Sequence, residues 1–118
     1  MRFDFGGAKQ FLAYLDGQTL LGQVLDHPAY KTVSRHAQMF GAGMTTQDVG
    51  NALAGKPSPF YGLKRLKDNL PGIMALLDFL DERQAEWCAI IEAELLHLFP
   101  GKPLNITIYP ILGYDMGI

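Results

Sequence analysis

Apolar residues at helical spacing extend almost without interruption from Pro71 to Phe99, which is the longest regular pattern in the chain. The apolar positions are Ile73, Leu76, Leu77, Leu80, Trp87, Ile90, Ile91, Leu95 and Leu98. These residues are predicted to fall on one stripe, opposed by charged residues, as in an amphipathic helix, and the segment would be about 40 Å long if continuous. The apolar pattern thins at Gln84, so it fits either one continuous helix or two helices that meet near Arg83.

The residues before Pro71 also show helical spacing, in shorter segments separated by glycine and proline. Segments of this kind begin near Ala8, near Thr19, after Pro28, after Thr45 and near Phe60. Thr45 followed three residues later by an aspartate resembles a capping box at a helix start. Together with the long pattern, these segments predict a mainly α fold, a helical domain of about five to six helices.

The chain ends differently, with β-branched and aromatic residues between Leu104 and Leu112. A single strand cannot satisfy its own backbone hydrogen-bonding groups. No upstream segment alternates polar and apolar residues, so we expect this C-terminal β-strand to need an external partner. That partner would be a second copy of the chain, another protein, or sequence beyond Ile118. The sequence thus divides into a helical domain at residues 1–103 and a strand and turn at residues 104–118.

A glycine-bracketed turn follows the predicted strand, between Gly113 and Gly117. Glycine permits positive φ angles, and an aspartate can hydrogen-bond to its own turn. One interpretation is an ordinary strand-end turn. The other is a loop at the rim of a cleft, with Tyr114 and Asp115 as ligand-binding residues.

No set of side chains indicates catalysis or metal binding. Glu94 and His97 have the spacing of the Glu-x-x-His ligands in di-iron helical bundles, but no second copy of that motif exists. A histidine near a helix end, stabilised by the helix dipole, explains His97 more simply. Cys88 is the single cysteine, and no His-Glu-x-x-His sequence occurs. We therefore predict no catalytic residue, no metal ligand and no cofactor in this chain.

Composition argues against nucleic-acid and membrane partners. The formal net charge is −2, and the one basic cluster, around Lys64 and Lys67, is diluted by Asp68. No apolar run approaches the roughly 18 residues that a membrane span requires, and the N-terminus lacks the apolar segment of a signal peptide. A single cysteine fits a reducing environment, so a cytoplasmic location is favoured over secretion.

A family resemblance adds to these expectations. A helical region, a long amphipathic helix, a Pro-Gly break and a strand leading into the turn "GYD-x-G-I" resemble the region that precedes the catalytic helix in zinc-dependent peptidases of the gluzincin type. The similarity covers mainly residues 104–118 and the general layout. In that family, the strand belongs to a small sheet and a His-Glu-x-x-His helix follows. This chain lacks that helix, so no ligand or general base can be assigned to any residue here.

Two hypotheses about function follow. The first is that the chain is the N-terminal helical region of a zinc-dependent peptidase, catalytically inert by itself, with zinc only where sequence beyond Ile118 supplies a site. The alternative is a small helical protein-binding or homodimerising module. Both predict contact with a second polypeptide segment or a second copy through residues 104–112.

Overall fold

The computed structural model describes residues 1–39, 45–58, 60, 62–102 and 105–113. The elements in these ranges are β1 (Arg2–Phe3), α1 (Gly6–Leu15), α2 (Leu21–Leu25), α3 (Pro28–Met39), α4 (Thr46–Leu53), α5 (Leu63–Asp68), α6 (Leu70–Leu98) and β2 (Thr107–Ile108). Six helices within the described part of the chain confirm the mainly α class that the sequence predicted.

The C-terminal strand pairs with the N-terminus of the same chain. β1 and β2 form a parallel two-stranded sheet. The amides of Arg2 and Asp4 donate hydrogen bonds of 2.9 and 2.8 Å to the carbonyl oxygens of Ile106 and Ile108. The expectation of an external partner for this strand is thereby corrected. A strand of only two residues has no recognisable alternation, and so the partner could not be identified from the sequence.

The residues after β2 pack against the helices. Tyr109, Ile111 and Leu112 are partly buried against the main hydrophobic core. Gly113 then adopts a φ of 72°, which places the first glycine of the predicted turn in the left-handed region. The C-terminal segment is therefore held at both β2 and the core.

Helix α1 lies at the centre of that core. Phe11 and Leu12 have no solvent exposure. The Phe11 ring stacks on Tyr30 of α3, with ring centroids 5.6 Å apart, and on Phe60, with centroids 6.1 Å apart. Large apolar side chains on α1 thus join the N-terminal half of the chain to the segment that leads into α5.

Glycine at the start of α1 permits a close approach to α3. A Cβ on Gly7 would lie 2.8 Å from Ala29 Cβ and 2.8 Å from His27 Nδ1. The same Nδ1 accepts a hydrogen bond of 3.1 Å from the Ala29 amide, which caps the first turn of α3. A larger residue at position 7 would force these two helix starts apart.

Helix α4 begins as its sequence predicted. The Thr45 side chain accepts a hydrogen bond from the Asp48 amide, and the Asp48 carboxylate accepts one from the Thr45 amide. These two bonds satisfy backbone donors that the first helical turn leaves unpaired. The predicted capping box is confirmed.

Helix α6 is one continuous helix of 29 residues, which resolves the two alternatives left by the sequence. It is about 44 Å long at 1.5 Å per residue. Its apolar residues do not form the single stripe that was predicted. Leu77 is 6% exposed, whereas Leu76 is 54% exposed and Ile90 is 66% exposed. Adjacent helical residues point about 100° apart, and here Leu77 faces the core while Leu76 faces solvent.

Candidate protein-binding surface

The residues proposed from sequence as a ligand site lie outside the described part of the chain. Tyr114 and Asp115 are both in this group, and so is Leu104, the first residue of the predicted contact strand at 104–112. Their role in binding therefore stays a prediction.

The described residues do not bring metal ligands together. Over the ranges given above, no group of three or more histidine, cysteine, aspartate or glutamate side chains could hold a metal ion. Glu94 and His97 are both exposed near the end of α6, and His97 lies in its last turn, as predicted. Cys88 is buried with a free thiol. A buried cysteine that packs as a small apolar side chain needs no chemical role to account for it.

A polar cluster joins α1 to the middle of α6. Lys9 Nζ lies 2.6 Å from Asp81 Oδ2 and 3.2 Å from Asp78 Oδ1. The hydrogen bond with Asp81 is the main cause that raises the pKa of Lys9 above its ordinary value, against an opposing effect of desolvation. The same bond is the main cause that lowers the pKa of Asp81. Lysine and aspartate therefore remain a charged pair at neutral pH.

Gln84 extends this cluster to the N-terminal strand. Its Oε1 accepts a hydrogen bond of 2.9 Å from the Phe3 amide, and its Nε2 donates one of 2.7 Å to Asp81 Oδ1. A cavity of about 570 Å³ opens beside these residues, and Lys9 and Asp81 also line it. Because Lys9, Asp81 and Gln84 bond to each other and to the strand, we interpret the cluster as a structural joint between α1, β1 and α6.

Aromatic packing completes the inner side of α6. The Trp87 ring lies 4.5 Å from the Phe3 ring and 6.4 Å from the Phe5 ring, measured between centroids. One turn further along, Glu92 forms an ion pair with the N-terminal amino group of Met1. The N-terminal strand thus covers the inner side of α6 from Gln84 to Glu92.

Exposed apolar side chains are concentrated on α6. Seven of the twelve large hydrophobic side chains that are exposed among the described residues belong to this helix. They are Met74, Leu76, Phe79, Ile90, Ile91, Leu96 and Leu98. Apolar residues gathered on one element, rather than scattered singly, are typical of an interaction surface.

The side of α6 that lies opposite the core carries three of these residues, Leu76, Phe79 and Ile90. We call it the outer face of α6, and it consists of Leu76, Phe79, Arg83, Glu86, Ile90 and Ala93. Phe79 is 48% exposed, and the Arg83 guanidinium lies 4.2 Å from the centroid of its ring. This cation–π contact holds the arginine beside the apolar residues.

Sequence analysis missed this surface because it placed Leu76 and Ile90 on one stripe with the core residues and did not consider Phe79. The signal was nevertheless present in the spacing. Leu76 and Phe79 are three positions apart, and so are Leu77 and Leu80. Each pair can align along its own side of a helix, so the spacing already indicated two apolar sides on α6. Which side meets the core depends on β1 and α1, whose packing the sequence pattern did not show.

No helix in the described ranges is both long enough and apolar enough to cross a membrane. Comparison with protein-family models, with curated proteins and with solved structures found no match to this chain. The structure itself therefore supplies the observations on which a function can be proposed.

Proposed function

We propose that this chain is a helical protein-binding module whose contact surface is the outer face of α6. The observation that carries the proposal is the exposure of Leu76, Phe79 and Ile90, each about half exposed or more, along one side of a single rigid helix. Burying such side chains against a partner removes apolar area from water, at roughly 25 cal/mol for each Å².

The inner side of α6 supports this proposal because it fixes the helix before any partner arrives. Asp81, Gln84 and Trp87 of α6 contact α1 or β1 and hold the middle of α6 in place. A preformed helix loses little conformational entropy on binding, which favours association. Amphipathic helices commonly bind partners through residues at such spacings.

A photo-crosslinking experiment tests this function. Benzoylphenylalanine replaces Phe79 in the chain expressed in its source cells, and a matched control carries it at Gln47, an exposed position on α4. We expect an adduct with a polypeptide, either a second copy or another protein, from position 79 and not from position 47. Adding Ile90→Lys should abolish it. Equal adducts from both positions, or none from position 79, would contradict the proposal.

The peptidase hypothesis stays a prediction, since no contact among the described residues bears on it. The same holds for binding through residues 104–112. Pairing with β1 removes the reason for expecting an external strand on one edge of β2. The Ile108→Lys variant, which places a charge on that strand, separates binding there from binding at α6.

A further inference from the structure

The outer face of α6 has the spacing of a coiled-coil contact. Its residues follow each other at alternating steps of three and four: Leu76, Phe79, Arg83, Glu86, Ile90 and Ala93. All six are exposed to solvent. Such steps are those of the a and d positions, which align along one side of a helix and pack against a second helix. The surface therefore fits one long helix rather than a loop or a strand.

Two antiparallel copies of this face are complementary to each other. If a second α6 is laid antiparallel, with a two-fold axis midway between Arg83 and Glu86, each large side chain meets a suitable partner. Phe79 lies opposite the second copy's position 90, and Leu76 lies opposite its position 93, which is an alanine. A two-fold contact uses the same patch on both chains, so each pairing occurs twice.

Charge decides between the two orientations. In the antiparallel arrangement, Arg83 of each chain lies opposite Glu86 of the other, which gives two ion pairs. In a parallel arrangement, Arg83 would lie opposite a second Arg83 and Glu86 opposite a second Glu86. Like charges placed opposite each other weaken association, so the parallel pairing is disfavoured.

From these observations we propose that the occupant of the outer face is a second copy of this chain, bound through an antiparallel pair of α6 helices. The proposal rests on the protein-binding function and names its partner. The seam from Leu76 to Ala93 is about 26 Å long. A contact of this length is at the small end for specific complexes, so the dimer forms reversibly and depends on concentration.

Charge reversal tests the pairing of Arg83 with Glu86. Sedimentation measures self-association of the wild type, of Arg83→Glu, and of the double variant Arg83→Glu with Glu86→Arg. We expect the single change to weaken the dimer about tenfold or more, and the double change to restore it to within about threefold. Arg35→Glu, at an exposed position of α3, is the matched control and should leave the dimer unchanged. Circular dichroism checks that each variant is folded.

Disulfide trapping tests the orientation independently. Chains carrying Leu76→Cys and chains carrying Ala93→Cys, both with Cys88→Ala, are mixed and oxidised. The antiparallel pair predicts mixed disulfides between the two kinds of chain, because positions 76 and 93 then face each other. A parallel pair would instead link position 76 to position 76.

The outcomes separate this proposal from the function on which it rests. A dimer restored by the double variant and trapped as mixed disulfides supports it. A dimer trapped between identical positions, or one that responds to Ile108→Lys but not to Arg83→Glu, overturns it. A wild-type chain that stays monomeric up to millimolar concentration also overturns it. In each of those cases, a position-specific adduct from Phe79 with another protein would still support the protein-binding function.

Discussion

The backbone amide of Phe3 donates a hydrogen bond of 2.9 Å to Oε1 of Gln84, which lies 81 residues later in the chain. β2 occupies one edge of β1, and Gln84 of α6 satisfies a donor on the other edge. An unpaired strand edge invites association with other strands, and a side chain placed against it prevents this. Gln84, at which the apolar pattern of α6 thins, therefore protects the second edge of the N-terminal strand.

This relationship predicts the effect of Gln84→Leu. The change leaves the Phe3 amide without its acceptor, so we expect the free energy of unfolding to fall by about 1–2 kcal/mol. Gln47→Leu, at an exposed position of α4, is the control and should change stability by less than about 0.5 kcal/mol. Urea-induced unfolding measures both, and faster hydrogen exchange at the Phe3 amide should accompany the loss. Equal stabilities of the two variants would contradict the assigned role.

The close approach of α1 and α3 predicts opposite effects of two glycine-to-alanine changes. Gly7→Ala introduces a Cβ 2.8 Å from Ala29 Cβ and should destabilise the chain by about 1–3 kcal/mol. Gly50→Ala, within α4, meets no atom within 4 Å and should stabilise by up to about 1 kcal/mol. Thermal unfolding followed by circular dichroism measures both changes. If Gly7→Ala were neutral, the two helices could not be as close as described.

The ion pair between Lys9 and Asp81 predicts a dependence of stability on pH. Folding lowers the pKa of Asp81, so the pair stabilises the fold fully at pH values above the ordinary aspartate pKa of about 3.9. This stabilisation is lost as the pH falls through the pKa of Asp81 in the folded state. The folded state raises the pKa of Lys9, so the contribution is complete below about pH 10.4 and is lost as pH rises through its folded-state pKa. Both groups are partly exposed, which limits the gain to about 0.2–1 kcal/mol.

Lys9→Met tests this expectation. The loss of stability relative to the wild type should be greatest between about pH 5 and pH 9 and should shrink below about pH 4. Lys31→Met, at an exposed position of α3, is the control and should show no such profile. Urea unfolding across this pH range decides the matter. A difference that persists unchanged at pH 2 would mean that packing of the lysine stem, not its charge, stabilises the joint.

The hydroxyl of Tyr30 contacts the C-terminal segment from inside the core. It donates to the carbonyl oxygen of Leu112 and accepts from the Leu112 amide, each over 3.4 Å, which is long for a hydrogen bond. Tyr30→Phe should therefore cost no more than about 1 kcal/mol at neutral pH. Burial raises the pKa of Tyr30 above its ordinary value.

That raised pKa gives Tyr30→Phe an effect in alkaline solution. The unfolded chain ionises its tyrosine near pH 10 while the folded chain keeps the proton, so wild-type stability should fall as pH rises beyond about 10. Tyr30→Phe should show a shallower decline than the wild type. Melting temperatures between pH 8 and pH 11 measure this. Parallel curves for the wild type and Tyr30→Phe would show that Tyr30 ionises freely in the folded state.

Local sequence determined the helices of this protein. The helix at α6, the capping box at Thr45 and the positive φ of Gly113 each depend on a few neighbouring residues, and the structure shows all three. Helical periodicity and capping act over one or two turns, which is why sequence patterns reveal them.

Only the tertiary structure decided which side of α6 is exposed to solvent. Leu76 and Leu77 are equally apolar, and their burial differs because only one side of α6 packs against α1 and β1. β1 is held there by its pairing with β2. That pairing joins residues about a hundred positions apart through a strand too short to show any pattern. Non-local contacts of this kind depend on the packing of the whole chain, so the outer face of α6 could be identified only from the tertiary structure.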